Sequence, residues 1–197
     1  MRRVIQVLSL LLMAAGAVLL FQGARVFFES QFGQTEASRQ FEGSSGAPAN
    51  APREAKWVRP RDGEAFAKLT IPRLDTELYI VEGDDSADLR RGPGHLRGTA
   101  MPGDDGNCVI AGHRDTHFRV LKDIRKGDDI ILETSRGQFL YRVERTSIVP
   151  PSNTTPLQPT PGAELNLITC YPFYYVGAAP KRFVVEAQLA GAVAGPS

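Results

Sequence analysis

The sequence predicts a mostly β protein: a closed barrel of seven or eight short strands with short helices, preceded by one transmembrane helix. Between residues 63 and 190, short apolar runs alternate with turn-forming residues, and the chain is rich in glycine (19) and proline (14). This pattern favours many short strands over long helices. Seven or eight short strands with little helix predict a closed or nearly closed β-barrel. Ahead of this region lies one long apolar run, which predicts the membrane helix.

The first segment, residues 1–24, has the composition of a membrane anchor. Its apolar run from Val4 to Phe21 is interrupted only by Gln6, Ser9 and Gly16. At about 1.5 Å per residue it spans roughly 27 Å, close to the hydrocarbon thickness of a bilayer. A cleaved signal peptide is the alternative, but no Ala-x-Ala cleavage site follows the run. The basic residues before it favour a single-pass anchor with its N-terminus in the cytoplasm and the rest of the chain outside.

The next segment, residues 25–62, is predicted to be a flexible spacer outside the membrane. It contains a Ser-Ser-Gly-Ala-Pro-Ala-Asn-Ala-Pro stretch at residues 44–52, a composition that cannot bury enough apolar surface to order itself. A flexible chain of this length reaches roughly 30 Å. The barrel would therefore stand clear of the membrane surface.

Residues 63–190 supply the strands and short helices, in an order that turn residues delimit. Ser135-Arg136-Gly137 reads as a hairpin turn between two strands. A loop rich in proline, residues 150–162, precedes a strand that ends at Cys170, and a last strand follows, with residues 191–197 as a tail. The predicted strands are 66–71, 77–81, 107–111, 128–134, 139–149, 165–170 and 183–189, and the predicted short helices are 86–91 and 118–124.

The charge balance excludes one class of partner. The chain has 23 basic and 22 acidic residues, a formal net charge of +1. A nucleic-acid surface requires a strong basic excess. We therefore expect no nucleic-acid partner.

The chemistry of the chain is expected to centre on Cys170. This cysteine ends the run Leu165-Asn166-Leu167-Ile168-Thr169-Cys170, directly before a turn. Functional residues concentrate at such junctions between a rigid strand and a loop. The second cysteine, Cys108, begins an apolar run and reads as a buried core residue. In parallel strands the two would be several residues out of register, too far apart for a disulfide.

Two other segments carry groups that a reactive thiol needs. His113 follows an apolar strand that ends in glycine, and Arg182 lies in the cationic pair that opens the last strand. A thiolate nucleophile, an imidazole that exchanges protons and a guanidinium that holds developing negative charge make up an acyl-transfer site. Alternatives stay open at each position: His113 could cap a strand, Lys181 could replace Arg182, and Asp115 could orient His113 or begin a turn.

The motifs Ala111-Gly112-His113-Arg114-Asp115-Thr116, Leu167-Ile168-Thr169-Cys170 and Lys181-Arg182-Phe183 resemble those of the sortases, membrane-anchored cysteine transpeptidases of bacterial cell surfaces. The resemblance extends from about residue 65 to residue 189. The short interval between the cysteine and the arginine most resembles class D. Two positions depart from the family: Asn166 stands where threonine is usual, and His117 where an aromatic residue is frequent.

The resemblance implies the roles of the site residues. Cys170 would cleave an LPxTG-like sorting signal in a secreted surface protein and hold its acyl part as a thioester. An amine acceptor on the cell surface would then take the acyl group. His113 would transfer protons, Arg182 would bind substrate or oxyanion, and Thr169 would pack beside the site and contribute to substrate binding.

No metal or other cofactor is expected. The three histidines have no ligand spacing, so His95 and His117 read as structural. The aspartates near residues 84–88 and 104–105 read as solvated loop charges rather than a calcium site. Two other functions remain open: a cysteine hydrolase or peptidoglycan-type transpeptidase without sorting-signal ligation, and a non-catalytic tethered barrel that binds a partner.

Overall fold

The computed structural model describes residues 2–45, 59–175 and 177–193. Eight strands and two α-helices account for most of the regular structure. The helices are α1 (Arg2–Ser45) and α2 (Ser86–Arg91). The strands are β1 (Ala65–Ile71), β2 (Thr76–Glu82), β3 (Gly94–His95), β4 (Asn107–Gly112), β5 (Asp129–Thr134), β6 (Gly137–Val149), β7 (Glu164–Tyr171) and β8 (Lys181–Val193).

The strands form one closed barrel in the order β1-β2-β3-β4-β7-β8-β6-β5, with β5 pairing back to β1. The pairs β2–β3 and β4–β7 are parallel and the others antiparallel. Closure leaves no free sheet edge, which removes the main route to edge-to-edge aggregation. The expected closed barrel with short helices is confirmed.

Alternation of apolar side chains explains why these segments fold as barrel strands. In β1, the residues Ala65, Ala67, Leu69 and Ile71 are buried and those between them are half-buried. A period of two places one set inside and the other on the outer face. The largest side chains inside are Tyr141, Phe118, Leu69, Ile71, Ile80, Met101, Ile110, Leu121, Ile130, Leu132, Leu165 and Leu167.

The short helices begin and end at local signals. Asp85 caps α2 by accepting hydrogen bonds from the backbone N–H groups of Ala87 and Asp88. A 3₁₀ helix at His117–Asp123 follows β4, one residue earlier than the predicted helix 118–124. It buries Phe118 and Leu121 in the barrel core.

Strand β3 was not predicted. It has only two residues, Gly94 and His95, and Gly92-Pro93-Gly94 read as a turn. The strand exists because its neighbours supply the pairing: Gly94 pairs with Val81 of β2 and with Ala111 of β4. Tertiary pairing therefore overrides the local turn preference here.

The prediction of a flexible spacer from residue 25 is wrong for residues 25–45, which continue helix α1. The end of this helix packs on the barrel instead of standing in solvent. Ala37 and Phe41 are buried against Ala65 and Val81. Residues 46–58, which hold most of the Ser-Gly-Ala-Pro stretch, lie outside the described residues.

Gln34 joins α1 to the barrel by hydrogen bonds that resemble strand pairing. Its amide donates to the carbonyls of Tyr79 (3.1 Å) and Arg91 (2.9 Å) and accepts from the Tyr79 N–H (2.8 Å). Gln40 accepts a further bond from the Ala65 N–H. The helix thus satisfies backbone groups of β1 and β2, which explains why a polar segment is ordered here.

Two further points concern the chain ends. Within the described residues, no helix combines the length and the hydropathy that crossing a membrane requires. At the C-terminal end, β8 continues to Val193, three residues into the predicted tail, and residues 194–197 lie outside the described residues.

Candidate active site

Cys170 lies one residue before the end of β7 and is half-buried. Its neighbours along the strand alternate in direction: Leu165, Leu167 and Thr169 are buried, whereas Ile168 and Cys170 belong to the outer face. The thiol therefore lies on the outer face of the barrel, at the junction of a core strand and a loop. Cys108 is fully buried, both cysteines are free, and burial raises the pKa of the Cys108 thiol. Only Cys170 is placed to react with a substrate.

Arg182 is the direct partner of Cys170 in the antiparallel pair β7–β8. Side chains of opposed residues share a face, with Cβ atoms about 4.5–5.5 Å apart. The Arg182 guanidinium donates to the carbonyl oxygens of Lys181 (3.1 Å) and Ala179 (3.4 Å), and these bonds hold it at the start of the strand. Lys181 is opposed to Tyr171 and, one residue away, belongs to the other face. The register thus places Arg182, and not Lys181, on the same face as Cys170.

Thr169 connects the strand of Cys170 to the segment that leads to His113. In the parallel pair β4–β7 it is opposed to Gly112, and its buried hydroxyl donates to the Gly112 carbonyl at 2.7 Å. His113 follows Gly112 directly and is exposed. Hence Cys170 and Arg182 lie at opposed positions in β7 and β8, and His113 directly follows the neighbouring strand β4. Thr169 itself is buried, and its hydroxyl bond supports the backbone on both sides of the site.

An arginine that the sequence reasoning left without a role, Arg114, secures the loop after Cys170. Its guanidinium donates to the carbonyl oxygens of Tyr175 (2.8 Å) and Gly177 (3.0 Å) and lies 5.7 Å from the centre of the Tyr175 ring. Arg119 makes a similar cation–π contact with Tyr174 at 5.4 Å. These contacts join the His113 segment to the loop at residues 172–180. The only signal in the sequence is the position of Arg114 directly after His113.

Aromatic side chains fix the other end of this loop. Tyr171, Phe173 and Phe183 form a cluster with ring centres 5.3–6.4 Å apart. Tyr171 directly follows Cys170, and Phe183 directly follows Arg182. Aromatic packing of this kind holds the two strand ends in one position, so the backbone on both sides of the site is braced.

The other two histidines have structural contacts. His95 is fully buried, with Nδ1 2.7 Å from a Glu82 carboxylate oxygen and Nε2 3.0 Å from the Ala100 carbonyl. His117 is buried below the His113 segment and is hydrogen-bonded to the backbone of Arg90. Burial and, to a smaller extent, the nearby His113 lower the pKa of His117 to about 4. His117 is therefore neutral at physiological pH.

The acidic clusters are engaged in structural contacts. Asp85 caps α2, Asp88 pairs with Arg97, and Asp104 pairs with Arg136. Across residues 2–45, 59–175 and 177–193, no group of three or more His, Cys, Asp or Glu side chains is arranged to hold a metal ion.

A small apolar cavity of about 120 Å³ lies beside Cys170 on the same outer face. Ile168 and Val184 of the strands line it, together with Arg182 and with Pro156 and Leu157 of the 150–162 loop. Its apolar lining suits an aliphatic side chain of a bound peptide.

Comparison with known proteins agrees with this arrangement. The sortase-domain family model matches residues 69–190, which include Cys170, His113 and Arg182. The chain belongs to the sortase family. Curated relatives of this sortase include Sortase D of Bacillus subtilis, 43% identical over 128 residues, and Sortase SrtE1 of Streptomyces coelicolor, 39% identical over 145 residues. These matches cover 64% and 63% of the chain, but only 65% and 40% of the relatives' own lengths.

Solved structures of other sortases have the same fold. The catalytic domain of SrtD from B. anthracis is 32% identical with a TM-score of 0.60, and the match covers 73% of this chain and 99% of that one. A Sortase D5 transpeptidase of Clostridium perfringens has a TM-score of 0.71 at 24% identity, covering 81% and 99% of the two chains. The predicted resemblance to the sortases, and to class D among them, is confirmed.

Proposed function

We propose that this sortase is a cysteine transpeptidase that cleaves an LPxTG-like sorting signal and transfers the acyl part to an amine on the cell surface. The observation that carries the proposal is the strand register. Cys170 is opposed to Arg182, and Thr169 ties Cys170's strand to Gly112, the residue before His113. Nucleophile, proton carrier and cation thus converge on one outer edge of the barrel.

The chemistry proceeds in two acyl-transfer steps. The Cys170 thiolate attacks the carbonyl carbon of the scissile peptide bond, and Arg182 stabilises the oxyanion with a charge that persists at every working pH. The C–N bond breaks while His113 gives its proton to the leaving amine, which leaves a thioester on Cys170. The acceptor amine then attacks the thioester, loses a proton to His113 and releases the thiolate.

The small cavity beside Ile168 and Val184 is the proposed site for the leucine of the sorting signal. It lies along β7 from Cys170 on the N-terminal side of that strand, and its lining is apolar. A peptide whose threonine carbonyl lies at Cys170 reaches this cavity with a side chain a few residues upstream. The cavity thereby sets the direction of the bound peptide.

We further propose that residues 1–24 anchor the enzyme in the cell membrane as a single pass, with the barrel outside. The support is the apolar run from Val4 to Phe21, whose described side chains, Leu10–Met13 and Val18–Phe21 among them, are exposed. Membrane fractions of cells that express the whole chain should retain it after alkaline extraction. Recovery in the alkaline supernatant would overturn the anchor and leave the catalytic proposal untouched.

The catalytic proposal is tested with Leu-Pro-x-Thr-x peptides and oligoglycine, with products followed by mass spectrometry. Ligated product is expected with the wild type and none with Cys170→Ala, whereas Cys108→Ala should remain active because Cys108 is buried in the core. Cleavage without ligation would favour a cysteine hydrolase. If no peptide is turned over and Cys170 is alkylated no faster than Cys108, the catalytic proposal is wrong. The protein would then be a tethered barrel that binds a partner.

A further inference from the structure

A second, larger cavity lies on the same outer face, farther from Cys170. Its volume is about 520 Å³, in the range of ligand pockets. It shares Val149, Asn153 and Pro156 with the small apolar cavity, so the two form one continuous groove. The two acyl-transfer steps do not involve this larger cavity.

The strand register places the two cavities in line with Cys170. Residues two apart on β7 share a face, so Cys170, Ile168, Asn166 and Glu164 form one row. Asn166 lies four residues from Cys170, or about 13 Å along the strand. A peptide that extends along β7 from Cys170 passes the apolar cavity and then enters the polar one.

The hydrogen bonds of this region leave one acceptor unpaired beside the cavity. The Asn107 amide nitrogen donates to the carbonyls of Pro156 (2.8 Å) and Gln158 (2.9 Å), so its oxygen must face Asn166. That oxygen accepts from the Asn166 amide nitrogen (2.8 Å), which also donates to Glu164 (3.1 Å). The orientation of the Asn166 amide is thereby determined, because a flipped amide would turn its oxygen towards two acceptors.

As a result, the Asn166 Oδ1 atom is buried without a hydrogen-bond partner among the described residues. Asn166 is only 2% exposed and lines the cavity. A buried unpaired acceptor costs free energy that a bound donor would recover. The cavity therefore favours a ligand that donates a hydrogen bond.

The charges around the cavity specify the donor further. Glu144, Glu164 and Glu186 line it with a single cation, Arg145. The Arg145 guanidinium is bound to Glu186, and the Arg145 side chain is 72% exposed. One carboxylate and the solvent therefore largely screen the charge of Arg145. The remaining field in the cavity is negative, which favours a cationic donor.

We propose that this cavity binds a lysine or arginine side chain of the substrate, immediately N-terminal to the sorting motif. The proposal rests on the proposed function, which sets the direction of the peptide: the apolar cavity holds the leucine, so residues before it reach Asn166. Asn166 Oδ1 accepts from the cation, and its charge is balanced by the excess negative charge of the cavity, to which Glu164 contributes a carboxylate bonded to the neutral amides of Asn166 and Gln188. The site thus selects clients by residues outside the motif.

The test compares peptides that share one Leu-Pro-x-Thr-x core and carry two lysines, two alanines or two glutamates before the leucine. We expect kcat/KM for ligation to fall in that order, over about tenfold. The double variant Glu164→Gln/Glu186→Gln should compress the range to under about twofold, with the alanine peptide unaffected. Asn166→Thr, which restores the residue usual in the family, should lower turnover of the lysine peptide alone.

Glu133→Gln is the matched control, since Glu133 lies in β5, away from the groove, and pairs with Lys68. It should keep the full preference. Equal turnover of the three peptides by the wild type would overturn the proposal while leaving the transpeptidase intact. A preference that survives the double variant, or that appears only with added calcium, would equally overturn it. Failure to turn over any peptide would contradict the proposed function instead.

Discussion

The hydroxyl of Thr169 has a role beyond packing, since it bonds the strand of Cys170 to the carbonyl that precedes His113. Thr169→Val keeps the shape but leaves a buried carbonyl without this donor. We expect a loss of about 1–2 kcal/mol in the free energy of unfolding. Because the relative position of Cys170 and His113 loosens, kcat/KM should also fall about tenfold. Urea unfolding and peptide ligation measure the two effects.

Thr134→Val is the control for this prediction. Thr134 is also buried, and its hydroxyl donates to the Gly137 carbonyl at 3.2 Å in the β5–β6 hairpin. It should lose comparable stability with unchanged activity. If both variants lost activity equally, Thr169 would have no specific role in positioning the site.

His117 should make the stability of the protein depend on pH in the mildly acidic range. Its folded-state pKa is about 4, below the ordinary value of 6.5, because burial disfavours the charged form. Between these values the unfolded chain binds the proton and the folded chain does not. Stability therefore falls as pH decreases from about 6.5 to about 4, by up to about 3 kcal/mol.

The measurement is urea unfolding from pH 7 down to about pH 4.5. His117→Gln removes the titrating group and should flatten the curve over this window. Asp128, whose pKa the Arg73 guanidinium lowers, contributes only at more acidic pH and is common to both proteins. Parallel curves for wild type and variant would show that folding does not lower the pKa of His117, and would contradict the prediction.

At the scale of elements, the loop at residues 172–180 is held by the segment that carries His113. Arg114→Lys keeps the charge but loses the planar fork that contacts two carbonyls and the Tyr175 ring. We expect faster hydrogen exchange in the loop, a higher KM and a kcat/KM about five- to tenfold lower. The melting temperature should change little, since the barrel pairing is unaffected.

Arg119→Lys serves as the comparison for the loop, because the Arg119 guanidinium lies over the exposed Tyr174 ring. It should give a small effect on the same readouts. Equal effects of the two variants would mean that the two carbonyl bonds of Arg114 add nothing to the cation–π contact that both arginines make.

The difference between Cys170 and Arg114 shows which parts of the site the sequence could predict. Cys170, His113 and Arg182 each sit at the end or start of an apolar run, so local pattern and family motifs identify them, and strand pairing places them on adjacent strands. The bonds of Arg114 reach residues 61 and 63 positions away, a separation at which a single sequence carries no local signal. The Asn107–Asn166 network, 59 residues apart, was missed for the same reason.

The elements divide in the same way. Alternating strands such as β1 and β5 were predicted because their own side chains specify a buried face. The last turns of α1 were predicted to be spacer because, among their described side chains, only Ala37 and Phe41 are buried apolar groups, and the contacts come from β1 and β2. Order that depends on a distant surface is not visible in local composition.

At the scale of the whole molecule, α1 and the barrel are joined through residues 33–42, so the barrel is not loosely tethered to the N-terminal segment. A chain without residues 1–30 keeps the docked part of α1. A chain without residues 1–45 exposes Ala65 and Val81 and leaves the Tyr79 backbone unpaired.

We expect the longer truncation to melt about 10 °C lower and the shorter one to match the full chain in detergent. Gln34→Ala in the shorter form should reproduce part of the loss, since the Tyr79 carbonyl in β2 and the Arg91 carbonyl at the end of α2 lose their donor. Calorimetry on the three proteins decides between a docked helix and a spacer: equal melting temperatures for both truncations would mean that α1 adds no stability to the barrel. Since the small cavity and Cys170 lie on β6–β8 and α1 docks on β1 and β2, peptide ligation should survive either truncation below the melting temperature.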